Sequence, residues 1–118
     1  MKIYLGFRIS GSSYEAVTKC VSNVKEELES CGYTVMYPMT GKESLRKCDV
    51  FYLNLMDAGE RVSIGGVMVL AVAAALGKHT VVSMGAENIH RHAFVLEAAD
   101  VIYETHEEAM KYLERLML

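Results

Sequence analysis

Ser63-Ile64-Gly65-Gly66-Val67-Met68-Val69-Leu70-Ala71-Val72-Ala73-Ala74-Ala75-Leu76-Gly77-Lys78 is a glycine-containing turn that runs into an apolar helix and stops at Gly-Lys. It lies between two apolar runs of strand length, Val50 to Leu55 and Thr80 to Met84. Strand, helix and strand in that order make a βαβ unit, whose crossover places the helix on one face of a parallel sheet. The helix itself, Val62 to Leu76, reads as buried, and no acid, base or nucleophile lies between Ser63 and Gly77.

Working outward, further strand-length runs occur at Ile3 to Phe7, Thr34 to Tyr37 and Asp100 to Tyr103, each followed by a polar or glycine-containing turn. The first helix puts Val17, Cys20, Val21, Val24, Leu28 and Cys31 on one face. It opens with the capping-box pattern Ser12-x-x-Glu15 and ends at Gly32. A polar segment from Lys42 to Lys47 joins the second and third strands. Helices are expected at Ile89 to Ala99 and at Thr105 to Met117, the latter opening with Thr105-x-x-Glu108. Alternating strands and helices without a hairpin signal give an α/β fold, a flavodoxin-like doubly wound sheet of five parallel strands in the order 2-1-3-4-5. No repeat, low-complexity tract or linker divides the chain, so one domain over residues 1–118 is expected.

The chain has 118 residues, 52% of them hydrophobic, enough for a real core without disulfides or metals. A formal charge of −3, with Lys and Arg scattered, argues against nucleic acid as a partner. Cys20, Cys31 and Cys48 are widely spaced and lack Cys-x-x-Cys clustering. They read as small buried hydrophobes in a reducing compartment, which points to the cytoplasm. The opening Met1-Lys2-Ile3-Tyr4-Leu5-Gly6 is too short an apolar run for a secretory signal, and Val62 to Leu76 falls short of the roughly 20 residues of a membrane span. No membrane partner, cofactor or metal is expected.

In such sheets ligands bind beyond the carboxyl ends of the strands, where the winding reverses. Three loops then matter: Gly6 to Ser13, Asn54 to Gly66, and Ser83 to Asn88. The first combines Gly6, Arg8, Ser10, Gly11 and Ser12 ahead of a helix N-terminus, a setting that favours an anion. The same residues would serve equally as a capping serine and a solvated cation. In the second, Asp57 and Glu60 could bind sugar hydroxyls or act as general acid and base, or simply form a hydrated polar turn. His79, His90, His92 and His106 lack metal-ligand spacing and read as surface residues, although His90 and Arg91 lie close to the ligand edge. The eight methionines read chiefly as core filler, with Met56, Met68 and Met84 as candidates to line a nucleobase-sized pocket.

Taken together, Lys2-Ile3-Tyr4-Leu5-Gly6, Cys48-Asp49-Val50, and Ser63-Ile64-Gly65-Gly66 followed by Ala71 to Lys78 resemble the nucleoside 2-deoxyribosyltransferase-like group. That group includes the deoxynucleoside monophosphate N-glycosidases. The resemblance implies an enzyme that breaks the bond between a (deoxy)ribose and its base through a nucleophilic glutamate on the helix after Gly66. It matches Tyr4 to the tyrosine that orients this glutamate, and the Ser63, Gly65 and Gly66 turn to the site for a phosphate or the sugar's 5′ end. Val69 stands at the glutamate's position. An aliphatic side chain cannot attack an anomeric carbon. The expectation is therefore a protein that binds a nucleoside or nucleotide without the covalent mechanism. The alternative is an active N-glycosidase or deoxyribosyltransferase using Asp57 or Glu60 as a displaced carboxylate. The resemblance also implies a homo-oligomer, dimer or higher, in which a neighbour's C-terminal region completes the site. The apolar end Tyr112, Leu113, Leu116, Met117 and Leu118 would pack on its own sheet or on that neighbour.

Overall fold

A computed structural model describes residues 1–7, 14–36, 43–56 and 60–118. The elements follow as β1 (Lys2–Phe7), α1 (Tyr14–Ser30), β2 (Thr34–Met36), α2 (Glu43–Lys47), β3 (Val50–Asn54), α3 (Ile64–Ala75), β4 (His79–Ser83), α4 (Ala93–Ala98), β5 (Val101–Tyr103) and α5 (His106–Leu116). The strands form one sheet in the order β2-β1-β3-β4-β5, and every pairing is parallel. This is the expected flavodoxin-like order, and it puts the reversal of winding between β1 and β3.

Strand alternation splits the core into two layers. Ile3, Leu5, Val50, Tyr52 and Val81 face α1 and α5, where Val21, Val24, Leu28, Ala109, Met110 and Leu113 meet them. Tyr4, Phe51, Leu53, Leu55, Val82 and Met84 face the other way, against Leu70, Ala73 and Val95 of α3 and α4. All of the apolar end but Leu118, which is exposed, packs on its own sheet: Leu113 is buried, and Tyr112, Leu116 and Met117 lie against the α1/α5 layer. Tyr33 closes that layer. It is 4% exposed, and its hydroxyl donates to the Leu113 carbonyl at 2.5 Å.

Burial pushes the Tyr33 phenol up to about 12 from 10.0. A group whose folded pKa lies above its unfolded value stabilises the fold below the unfolded value and ceases to do so as pH passes the folded one. Stability is thus expected to fall between pH 10 and about pH 12. Tyr33→Phe should flatten that part of a denaturant-midpoint profile, and a profile equally steep in the variant would contradict the assignment.

Helix ends follow local chemistry. The Thr105 hydroxyl accepts from the Glu108 amide at 3.2 Å, the N-cap half of the expected capping box, and donates to the Glu108 carboxylate at 3.0 Å. Gly77, at φ 74°, ends α3 as the sequence suggested, and the amides of Gly77 and Lys78 return to the carbonyls of Ala74 and Ala73. The Ser12-x-x-Glu15 pattern lies outside the described residues at Ser12. Cys48 is buried and Cys31 half-buried, both as free thiols.

Three expectations change. The polar segment at Lys42 to Lys47 contains a short helix, α2. The helix expected at Ile89 to Ala99 is confined to α4, because His92 adopts an extended conformation and its ring accepts from the Phe94 amide at 3.2 Å, capping the helix there. The third change concerns α3, which is not buried all round. Leu70 and Ala73 are its buried residues, whereas Ile64, Met68, Val72 and Leu76 along the same outer edge are 66%, 63%, 49% and 43% exposed. No described helix is long and apolar enough to cross a membrane.

Candidate functional site

The register aligns Phe7, Asn54, Ser83 and Tyr103 in one row across the carboxyl edge of the sheet. Polar groups gather on both sides of this row, in two separate arrangements.

On the α3 side, the turn into the helix sits directly on β3. A Cβ at Gly66 would stand 3.1 Å from Leu53 Cδ1 and 2.8 Å from Ser63 Oγ, and one at Gly6 would stand 2.9 Å from the Phe51 ring. Larger residues would wedge the helix start and β1 off the central strand, so both glycines set how closely the site's walls approach. Gly65 has no such neighbour and faces open space. Tyr4 is 6% exposed, its ring 5.9 Å from that of Phe51 at a tilt of 43°. Burial, and secondarily the Cys48 thiol, raises its pKa. Val69 is half-buried on the edge of the same apolar layer. The structure thus brings Tyr4, Gly6, Ser63, Gly66 and Val69 to one side of the sheet.

His90 holds this turn in place. It is 3% exposed, and its Nε2 accepts the Ser63 amide at 2.8 Å. An acceptor at Nε2 places the ring proton on Nδ1, which donates to Asn88 Oδ1 at 2.8 Å. Asn88 in turn donates from Nδ2 to the Leu55 carbonyl at 2.8 Å, tying the β4–α4 loop to the end of β3. Arg91 braces the loop through the Gly85 and Met84 carbonyls. The surface role expected for His90 is therefore corrected: the imidazole is a buried strut, because the Ser63 amide at the helix start needs an acceptor that no helical carbonyl supplies. His90→Phe should leave that amide unpaired and cost about 1–3 kcal/mol of stability in urea denaturation. A loss of only a few tenths would contradict this role.

On the α1/α5 side, Asn54, Tyr52, Ser83 and His106 form a hydrogen-bonded cluster. The Met56 amide donates to Asn54 Oδ1 at 2.9 Å, which turns Asn54 Nδ2 toward His106 Nδ1 at 3.4 Å. His106 Nδ1 consequently acts as acceptor, also for the Tyr52 hydroxyl at 2.6 Å. With its proton given to His106, the Tyr52 hydroxyl accepts from Ser83 at 2.8 Å, and Ser83 Oγ also lies 3.3 Å from Asn54 Oδ1. Asn54, Met56 and His106, with Asn23, Glu27 and Glu107, line an open cavity of about 380 Å³. Sequence reasoning missed this cluster. Tyr52 reads as one more apolar strand residue, and only the register reveals that Ser83 lies level with Asn54.

Other candidates scatter. Arg8, Ser10, Gly11 and Ser12, along with Asp57, lie outside the described residues. Glu60 is exposed. The methionines do not converge: Met56 lines the cavity, Met84 is fully buried in the α3 layer, and Met68 faces outward at 63% exposure. Among the described residues no cluster of three His, Cys, Asp or Glu could hold a metal ion.

No protein-family profile matches the chain, and no curated protein matches it. Solved structures do. A 2-deoxyribosyltransferase from Bacillus psychrosaccharolyticus superposes with a TM-score of 0.73 at 19% identity, covering 95% of this chain and 92% of that one. The CMP N-glycosidase of Clostridium botulinum gives 0.66 at 19% identity over 98% and 99% of the two chains. A conserved protein from Enterococcus faecalis V583 gives 0.72 at 11% identity, with 98% of each chain covered. The chain therefore shares, over nearly its whole length, the α/β fold on which a deoxyribosyltransferase and a nucleotide N-glycosidase are built. At these identities the likeness is one of fold.

Proposed function

We propose that this protein belongs with the nucleoside 2-deoxyribosyltransferase-like proteins and binds a nucleoside or nucleotide at the carboxyl edge of the sheet without the covalent glycosyl-transfer mechanism. The observation that carries the reading is Val69. It is half-buried at the edge of the apolar layer on the α3 side of the sheet, at the position where the resemblance expects a glutamate, and it offers no lone pair to an anomeric carbon. The rest of the site suits an anionic or hydroxylated ligand. The Ser63 hydroxyl makes no capping hydrogen bond, and the first turn of α3 carries no acid. Its amide dipoles favour a phosphate or a sugar oxygen. Tyr4 and Gly6 form the adjoining wall, and the Arg8, Ser10, Gly11 and Ser12 loop would supply further anion contacts.

The active alternative would recruit Asp57 or Glu60. Glu60 is exposed, unlike the enclosed setting in which catalytic carboxylates are usually held. The reading also includes a cytoplasmic homo-oligomer, in keeping with the free thiols of Cys31 and Cys48 among the described residues and an exposed apolar helix face. Calorimetric titration with deoxynucleoside monophosphates and free nucleosides, followed by chromatography of the mixtures, tests the function. Saturable binding with intact ligand is expected. Base release that Asp57→Ala or Glu60→Ala abolishes would overturn the binding-only reading in favour of the enzyme.

A further inference from the structure

The cluster of Tyr52, Asn54, Ser83 and His106 has no part in the nucleotide site proposed above, which uses the α3 side of the sheet. A parallel strand covered on both faces is ordinarily apolar, yet Tyr52 and Ser83 place hydroxyls there at 0% exposure. Phe and Ala at these positions would leave no buried polar group to satisfy. What the two hydroxyls accomplish is the placement of one hydrogen. Ser83 donates to Tyr52 at 2.8 Å, Tyr52 donates to His106 Nδ1 at 2.6 Å, and the Asn54 amide approaches the same nitrogen at 3.4 Å. A neutral imidazole that accepts at Nδ1 carries its hydrogen on Nε2. The ring also stacks on Tyr52, with centroids 5.8 Å apart at 22°. Nε2 has no partner among the described residues, and it is not shut off from solvent, because no buried side-chain nitrogen or oxygen among them lacks one. An oriented N–H is thus left open on a residue that lines two adjoining cavities, of about 380 and 470 Å³.

We infer that these joined cavities between α1 and α5 are a second ligand site, for a small hydroxylated ammonium compound, an amino sugar or amino alcohol. The Nε2–H of His106 requires an acceptor, which a hydroxyl oxygen supplies. Glu27 and Glu107 line both cavities and form no ion pair among the described residues, so they call for a cation. Glu114 and Lys111 join them in the larger cavity, leaving three carboxylates to one ammonium and a field that repels phosphates. The carboxylates alone would be an ordinary hydrated rim. The imidazole hydrogen, set from beneath by two buried hydroxyls, is what distinguishes the site. A metal ion does not suit it, since among the described residues no three His, Cys, Asp or Glu converge to hold one. Val24 and Met56 offer apolar contact to the carbon skeleton of an organic ligand, and both cavities are of ligand size.

Titration of the whole 15N-labelled chain with glucosamine, glucose and putrescine, followed by nuclear magnetic resonance, tests the inference. Glucosamine offers ammonium and hydroxyls together, whereas the other two offer one each. Saturable shifts at the His106 and Glu107 amides are expected with glucosamine, with at least about fivefold weaker binding of the other two. Glu27→Gln combined with Glu107→Gln, both exposed, should weaken glucosamine about tenfold without disturbing the fold. The imidazole nitrogen signals of His106 should show the hydrogen on Nε2 in the wild type and shared between both nitrogens in Tyr52→Phe, whose affinity should fall. No saturable shift with glucosamine, equal binding of glucose or putrescine, or full affinity in the double glutamine variant overturns the site. A wild-type hydrogen on Nδ1 overturns it even if Tyr52→Phe fails to fold. Deoxynucleoside monophosphate binding should be the same in the double variant as in the wild type, and its absence from both would count against the nucleotide reading alone.

Discussion

Phe51→Ala is expected to lower the unfolding free energy by about 3–5 kcal/mol, the usual cost of emptying a fully buried aromatic site. Phe51 is 0% exposed on β3, the middle strand of the sheet. Its ring packs beside Tyr4 and occupies the space that a Cβ at Gly6 would need. Since domains of this size hold about 5–15 kcal/mol in total, the variant should be left marginal. The effect should reach the site as well, because Tyr4 and Gly6 form one wall and both lean on this ring. Urea denaturation should show the midpoint falling with the slope unchanged, and ligand affinity should fall more than in a control such as Leu113→Ala in the opposite layer. Equal losses of affinity in the two variants would contradict the placement of the site on the α3 side.

Val69→Glu should have the second-largest effect, with a definite pH dependence. The substitution moves a carboxyl from water in the unfolded chain to a half-buried position at the edge of the apolar layer between α3 and the sheet. Desolvation raises its folded pKa above the ordinary value of about 4.3. The folded chain then holds the proton more tightly than the unfolded one, so the penalty is least below about pH 4 and complete once pH exceeds the raised folded value. Relative to the wild type, the variant should lose about 1–3 kcal/mol more at pH 8 than at pH 4. A deficit that does not change with pH would place residue 69 in water. On the proposed reading the ionised carboxylate supplies the nucleophile that the resemblance expects on α3, so slow release of base from a deoxynucleoside monophosphate is expected. Silence would show that the pocket has diverged by more than one side chain.

Period and punctuation made the fold legible. Two-residue alternation was not needed for Val50–Asn54, because a parallel strand covered on both faces reads as one apolar run. The glycines Gly32 and Gly77 marked where α1 and α3 had to stop, and both sit at positive φ. What escaped the sequence depends on distances between elements. Tyr52, Ser83 and His106 come from two strands and a helix, and no local pattern announces that their polar atoms meet. In the sequence His90, a histidine in a polar loop, resembles any other surface histidine, and only the structure shows the Ser63 amide bonded to it. The composition of α3 predicts burial, whereas the structure exposes its edge of Ile64, Met68, Val72 and Leu76. The turn at Ser63 to Gly66 was recognisable from its residues alone, whereas the close approach to Leu53 that makes Gly66 necessary was not.

The central claim is that the chain keeps a nucleotide site and lacks the group that would cleave the nucleotide. The most direct measurement is one calorimetric titration of the wild-type chain with a deoxynucleoside monophosphate, with the contents of the cell then separated for free base. Saturable heat with all of the ligand recovered intact is the predicted result. Free base accumulating in proportion to protein and time would contradict the claim.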